Sequence, residues 1–172
     1  PDFERSLEVI RALDRAGVDI IELGVPFSDP LADGIVNQLA AQRALESGMT
    51  TLRVLELVRR FRESSQTPIV LFTYLNPIYT YGFGKFHADA VAAGVDGILN
   101  LDLPPHEEAG NAELHAALGL RHIRLIAPTT GEARIREIAA ASEGFIYYVS
   151  REGVTGARSE VAEGIDTQVE RI

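Results

Sequence analysis

The sequence predicts an α/β protein in which a parallel sheet is covered on both faces by helices, read as part of a (β/α)8 TIM barrel. Helical and strand-like segments alternate along all 172 residues, and the strand-like runs are short, β-branched and nearly continuous in apolar residues. A helix end, a glycine turn and a strand also recur with similar letters, as Arg15-Ala16-Gly17-Val18-Asp19-Ile20-Ile21-Glu22-Leu23 and Ala92-Ala93-Gly94-Val95-Asp96-Gly97-Ile98-Leu99-Asn100-Leu101. Parallel strands need crossover helices that bury both faces of the sheet, so polar alternation is lost from the strands. An open flavodoxin-like sheet suits a chain of this length, whereas a full barrel needs about 250 residues. The ends tilt the choice toward the barrel. The only methionine is Met49, and the last eight residues, Ile165 to Ile172, read as a helix capped by Asp166 and stopped in its second turn. The chain is therefore expected to be an incomplete barrel from a longer protein.

Taken in order, Asp2 is placed to cap a first helix whose Phe3, Leu7, Ile10 and Leu13 recur at spacings of four and three, with Gly17 ending it. Strand-like runs follow at Val18 to Val25, Pro68 to Tyr74, Val95 to Leu101, His122 to Ala127 and Phe145 to Ser150. Helical stretches are expected between them at 38–64, 84–93, 106–118 and 131–141, and again from 161 onward. No linker, low-complexity stretch or charge block divides the chain, so residues 1–172 are expected to form one partial barrel domain.

Composition narrows the function. Sixteen Lys plus Arg against 25 Asp plus Glu leave a formal charge of -9 without a basic block, which disfavours nucleic acid and anionic membrane surfaces as partners. The absence of cysteine excludes disulfides, thiolate metal sites and a cysteine nucleophile, and is compatible with a reducing cytoplasm. No apolar run approaches the roughly 20 residues of a membrane span, and the first residues lack the layout of a signal peptide.

In either architecture ligands bind at the carboxyl ends of the strands. The densest signal there is Glu22-Leu23-Gly24-Val25-Pro26-Phe27-Ser28-Asp29-Pro30-Leu31-Ala32-Asp33-Gly34. By period two, Glu22 shares a face with Val18, Ile20 and Gly24, while Ile21, Leu23 and Val25 share the other. If Ile21 and Leu23 face the helices, Glu22 points into the barrel mouth, where partial desolvation raises a carboxyl pKa toward a general acid or base. Asp33, in a glycine-flanked loop, is expected to be a second carboxylate in a wetter setting, so the two can divide acid and acceptor roles. The alternative is that Asp29 and Asp33 cap a helix starting near Ile35 and that Glu22 is a solvated strand end. A magnesium site from Glu22, Asp29, Asp33 and Asp102 lacks a tight ligand spacing, and no metal is expected. His87, His106, His115 and His122 show no metal-binding spacing and read as surface or helix-start residues. Gly82-Phe83-Gly84 begins a glycine-rich loop but has His87 where a dinucleotide fingerprint has its third glycine. Ser150 to Ser159 is polar and glycine-rich, fitting an anion cradle, a lid or an ordinary surface loop.

The Glu22 to Gly34 segment resembles the signature of the tryptophan synthase alpha subunit family. The resemblance extends in order and spacing to Tyr74-Leu75-Asn76-Pro77, Gly94-Val95-Asp96-Gly97, Asp102-Leu103-Pro104, Ile126-Ala127-Pro128-Thr129-Thr130 and the stretch from Tyr147 to Gly156. It implies strands two to six of a (β/α)8 barrel and a lyase of tryptophan biosynthesis. Such an enzyme cleaves indole-3-glycerol phosphate to indole and glyceraldehyde 3-phosphate by a retro-aldol route. By the same resemblance Glu22 is the acid-base residue that protonates the indole ring carbon, and Asp33 holds the indole N–H as positive charge develops. Tyr147 corresponds to the family's active-site tyrosine, Phe72, Leu99, Leu101 and Ile126 fall where apolar indole-lining residues lie, and Thr155 with Gly156 matches the closing loop. Asp29, Asn76 and Pro104 fall in segments facing a beta subunit in an alpha2-beta2 heterotetramer, and pyridoxal phosphate belongs to that partner, with no cofactor in this chain. The alternative implied function is a catalytically impaired fragment that binds the beta subunit, because barrel phosphate sites are built largely by the loops after strands seven and eight.

Overall fold

The computed structural model describes residues 2–104, 107, 118–149, 165–170 and 172. Among these described residues five strands, β1 (Ile21–Gly24), β2 (Ile69–Thr73), β3 (Gly97–Asn100), β4 (Arg121–Ile126) and β5 (Ile146–Tyr148), pair in parallel in the order β1-β2-β3-β4-β5. That sequential order separates the two architectures. A doubly wound open sheet reverses its strand order at a switch point, whereas a barrel adds each strand beside the last. The sheet is a half-barrel with its helices on the outer side.

Those helices are α1 (Phe3–Arg15), α2 (Ile35–Glu46), α3 (Thr51–Arg62), α4 (Leu75–Tyr81), α5 (Phe83–Ala93), α6 (Glu132–Ala141) and α7 (Ile165–Val169). Helix α1 starts where expected, with the Asp2 carboxylate accepting from the Arg5 N–H at 2.9 Å. Three helices end alike, each on a glycine with positive φ, namely Gly17, Gly48 and Gly94. In each the next residue's N–H returns to the carbonyl five positions earlier: Val18 to Leu13, Met49 to Ala44 and Val95 to Ala90. The Gly48 turn corrects the single helix expected over 38–64. Gly48 closes α2, and the Thr50 hydroxyl caps α3 by accepting from the Arg53 N–H.

Helix α4 was not expected. Pro77 in its first turn needs no intrahelical donor there, and the leading N–H, on Leu75, donates at 2.6 Å to Asp102 at the end of the next strand. Because that cap comes from 27 residues away, no local signal announced the helix. Gly82-Phe83-Gly84 is likewise a helix junction rather than a loop, with Gly82 between α4 and α5. At the other end of the chain Asp166 lies inside α7, not ahead of it. The helix expected over 106–118 and the loop from Ser150 to Ser159 lie outside the described residues, apart from Glu107 and Leu118.

The alternation of each strand divides the core. Ile21, Ile69, Leu71 and Ile98 pack outward with Phe3, Leu7, Ile10, Val54, Leu55, Val58, Phe61, Phe86 and Ala90 of the helices. Leu13, expected in this stripe, is instead largely exposed. Val70, Leu99 and Ile123 pack inward with Phe72, Leu101 and Tyr147. A Cβ on Gly97 would lie 2.6 Å from Ile123 Cδ1 and 3.2 Å from the Arg121 carbonyl, so the Ile123 side chain would have to shift to admit one. Two histidines correct the surface reading. His87 of α5 and His122 of β4 are 1% and 4% exposed, and their rings stack at 5.6 Å. His106 and His115 lie outside the described residues.

At the amino-terminal end of the sheet Arg62 ties α3 to two strands. Its Nε donates to the Gly94 carbonyl at 2.8 Å, Nη1 to the Thr67 carbonyl at 2.7 Å, and Nη2 to the Asp96 carboxylate at 2.6 Å. Asp96 also accepts from the Ile69 N–H at 2.8 Å. Arg62→Ala leaves those carbonyls unpaired and is expected to lower stability by about 1.5–3 kcal/mol, the scale of hydrogen bonds to a charged group. The half-exposed Asp96 adds little to that figure. Urea unfolding checks this. The midpoint should fall with an unchanged slope, and an unchanged midpoint would show that Arg62 is not a tie.

Candidate active site

All strands deliver their carboxyl ends to one rim, and the segment after β1 is held there by backbone bonds before any side chain acts. The Val25 N–H continues the pairing onto the Phe72 carbonyl at 2.9 Å, and the Asp33 N–H closes a turn onto the Pro30 carbonyl at 3.1 Å. The Ala32 N–H finds a side chain instead, donating at 3.0 Å to the Tyr74 hydroxyl from the end of β2. The result is a cleft of about 470 Å3 whose lining includes Glu22, Phe27, Asp33, Phe72, Tyr74 and Tyr147.

Glu22 lies on the inner face of β1, with Ile21 and Leu23 turned to the helices. It stays in contact with solvent, yet partial desolvation raises its carboxyl above the ordinary glutamate value. Tyr147 of β5 shares the inner face and packs toward Phe72 at a ring separation of 6.4 Å. Burial first, and the Glu22 charge second, push its phenol up.

Asp33 is the more buried carboxylate at 9% exposure, which corrects the wetter setting expected for it. It does not cap α2 either, whose cap is Gly34 without a side-chain bond. Its Oδ2 accepts from the Tyr74 hydroxyl at 2.9 Å and its Oδ1 from Asn37 Nδ2 at 3.2 Å. Neither Tyr74 nor Asn37 carries a sequence signal that marks it as a partner of Asp33. The usable signal was the position of Tyr74 immediately after β2, at the rim where barrels keep their chemistry.

Among the apolar residues expected around a ligand, Phe72, Leu99 and Leu101 come together with Tyr147 on the inner face, joined by Val70 and Ile123. Ile126 does not join them. Its side chain lies on the outer face with Ile135 and Ile138 of α6 and with Ile146 and Tyr148. Tyr147 and Ile126 sit on paired strands with Ile126 opposite Tyr148, so the pleat places Ile126 behind the sheet and Leu125 opposite Tyr147. Thr155 and Gly156 lie outside the described residues.

Asp29 is exposed in the loop after β1, Asn76 is exposed in the first turn of α4, and Pro104 is partly buried beyond β3. Those three positions follow successive strands at the same rim. Asp102 is engaged by the Leu75 N–H. Among the described residues no three histidines or carboxylates gather as a metal would need.

The chemistry available is a division between unlike carboxyl groups beside an apolar wall. Glu22 keeps its proton to higher pH and can deliver it, while Asp33, accepting from neutral donors at both oxygens, can attract a polar hydrogen on a ligand ring.

A family model described as tryptophan synthase alpha chain matches residues 1–172. Curated tryptophan synthase alpha chains from Opitutus terrae and Geotalea daltonii are 54% and 52% identical over the whole of this chain, and the chain spans 65% of the length of each. The structure of the tryptophan synthase a2b2 complex from Pyrococcus furiosus aligns with a TM-score of 0.91 and 42% identity, over 99% of this chain and 68% of that one. Tryptophan synthase subunit alpha from Legionella pneumophila aligns with a TM-score of 0.81 and 41% identity, over 85% and 56%. The half-barrel is thus an incomplete TIM barrel of the kind these structures contain.

Proposed function

The chain belongs to the tryptophan synthase alpha chain family, and on that premise we propose that its full-length protein is a lyase that cleaves indole-3-glycerol phosphate to indole and glyceraldehyde 3-phosphate. The observation that carries the proposal is the cleft whose lining holds both a partly desolvated Glu22 and a carboxylate already satisfied by Tyr74 and Asn37. Protonated Glu22 delivers its proton to the ring carbon that bears the glycerol chain. The ring becomes cationic, and Asp33 accepts its N–H and offsets the charge. The carbon–carbon bond then breaks as the adjacent hydroxyl gives its proton to the Glu22 carboxylate. Its oxygen becomes the aldehyde, the bonding pair returns to the ring, and Glu22 is again an acid. Phe72 and Tyr147, which line the cleft, with Leu99 and Leu101 packed in the same cluster, are the apolar side proposed for the flat ring. Thr155 and Gly156 are proposed for the closing loop.

The reaction needs no cofactor from this chain. The partner is a pyridoxal-phosphate beta subunit in an alpha2-beta2 assembly, contacted through Asp29, Asn76 and Pro104, and the compartment is the cytoplasm. Among the described residues no helix is long and apolar enough to cross a membrane. The test is to supply indole-3-glycerol phosphate to the full-length protein, alone and with its beta subunit. Equal amounts of indole and aldehyde are expected, with a higher rate in the complex. Asp29→Ala should lose most of that increase while the isolated rate stays within about twofold, as expected for a rim charge away from the chemistry. No indole in either arm would overturn the lyase reading, and full activation of Asp29→Ala would overturn the interface.

A further inference from the structure

We propose that Tyr74 is a positioning residue for this reaction, which aims the Asp33 carboxylate into the cleft and keeps it an acceptor. The inference rests on the lyase reading and on where one proton must lie. The Ala32 N–H can only donate, so the Tyr74 oxygen accepts from it at 3.0 Å. The hydroxyl has a single proton, and that proton goes to Asp33 Oδ2 at 2.9 Å. With Asn37 Nδ2 donating to Oδ1 at 3.2 Å, both carboxyl oxygens accept.

Tyr74 is itself held from several sides. It is 7% exposed, and its ring packs against Phe27 at a centroid distance of 5.4 Å. The next N–H along the chain, on Leu75, is fixed by Asp102. Burial, followed by the bond to Asp33, pushes its phenol up to about 12, so the donor stays protonated across the working range. The hydroxyl also joins the loop after β1 to the end of β2, because Ala32 and Asp33 are both bound to one oxygen atom. Rotation of Asp33 away from the cleft would break the bond from the Tyr74 hydroxyl.

The test is a double-mutant cycle in the full-length protein, using Tyr74→Phe, Asp33→Asn and the pair. Tyr74→Phe should lower kcat about tenfold or more, with KM within about threefold, as lost support of a reacting group does. In the Asp33→Asn background the same change should alter kcat less than about twofold, because the hydroxyl acts through the carboxylate. An equal loss in both backgrounds, or a wild-type kcat for Tyr74→Phe, would overturn the proposal. A second readout is independent of turnover. With tyrosine labelled at the phenol carbon, Asp33→Asn should move the Tyr74 resonance and leave the other tyrosines of this chain in place. A resonance that does not move overturns the positioning role whatever the activity. Absence of indole release by the wild type, with the resonance moved, overturns the lyase reading instead.

Discussion

Glu22→Gln in the full-length protein is expected to lower indole release at least about a hundredfold, with a much smaller change in KM. A positioned acid or base contributes on that scale, and glutamine keeps the size and polarity of glutamate without a proton to give. The raised pKa of Glu22 adds a pH signature. The wild-type rate for ring protonation should fall as pH climbs through the Glu22 value, above the ordinary glutamate range, and the residual rate of Glu22→Gln should lack that step. Stability provides the control. A carboxyl whose folded pKa is raised stabilises the fold most below its unfolded value, and that contribution is lost as pH rises through the folded value. At neutral pH the wild type therefore carries an unfavourable partly buried charge, and Glu22→Gln should unfold at an equal or higher denaturant concentration. Kinetics across pH together with denaturation at pH 7 check both halves. Wild-type turnover in Glu22→Gln would remove Glu22 from the mechanism, and a large loss of stability would show that the rate effect is misfolding.

Asp33→Asn is expected to cost a similar factor, at least about a hundredfold in kcat, as loss of one preorganised electrostatic partner does. The amide oxygen can still accept from Tyr74, so the loop after β1 keeps its tie to β2 and the fold is retained. What disappears is the negative charge beside the ring as the ring becomes cationic. The effect should fall on turnover more than on binding of indole itself, because the ground-state ring is neutral and asks only for an acceptor. Comparing kcat with the dissociation constant for indole measures that split. Equal losses in both would mean that Asp33 holds the ring without stabilising its charge.

The sequence by itself determined whatever depends on neighbours a few residues apart. The Asp2 cap, the turns at Gly17 and Gly94, and the placing of Glu22 opposite Ile21 and Leu23 all follow from local geometry, so they read directly. The Gly48 turn between α2 and α3 was equally local, and Ser47-Gly48-Met49-Thr50 contained its signal. The tertiary structure alone decided the features that need a partner from elsewhere in the chain. Asp33 is buried and oriented by Tyr74, 41 residues away, and α4 is started by Asp102, 27 residues away. His87 and His122 are apolar-core neighbours only because β4 lies beside β3 with α5 packed over it. Ile126 shows the limit most sharply. A strand has period two, so a one-residue uncertainty in where β4 meets β5 moves a side chain from the cleft to the helices. Hydrophobic pattern specifies that such a residue is buried, and only the pairing of whole strands specifies on which side.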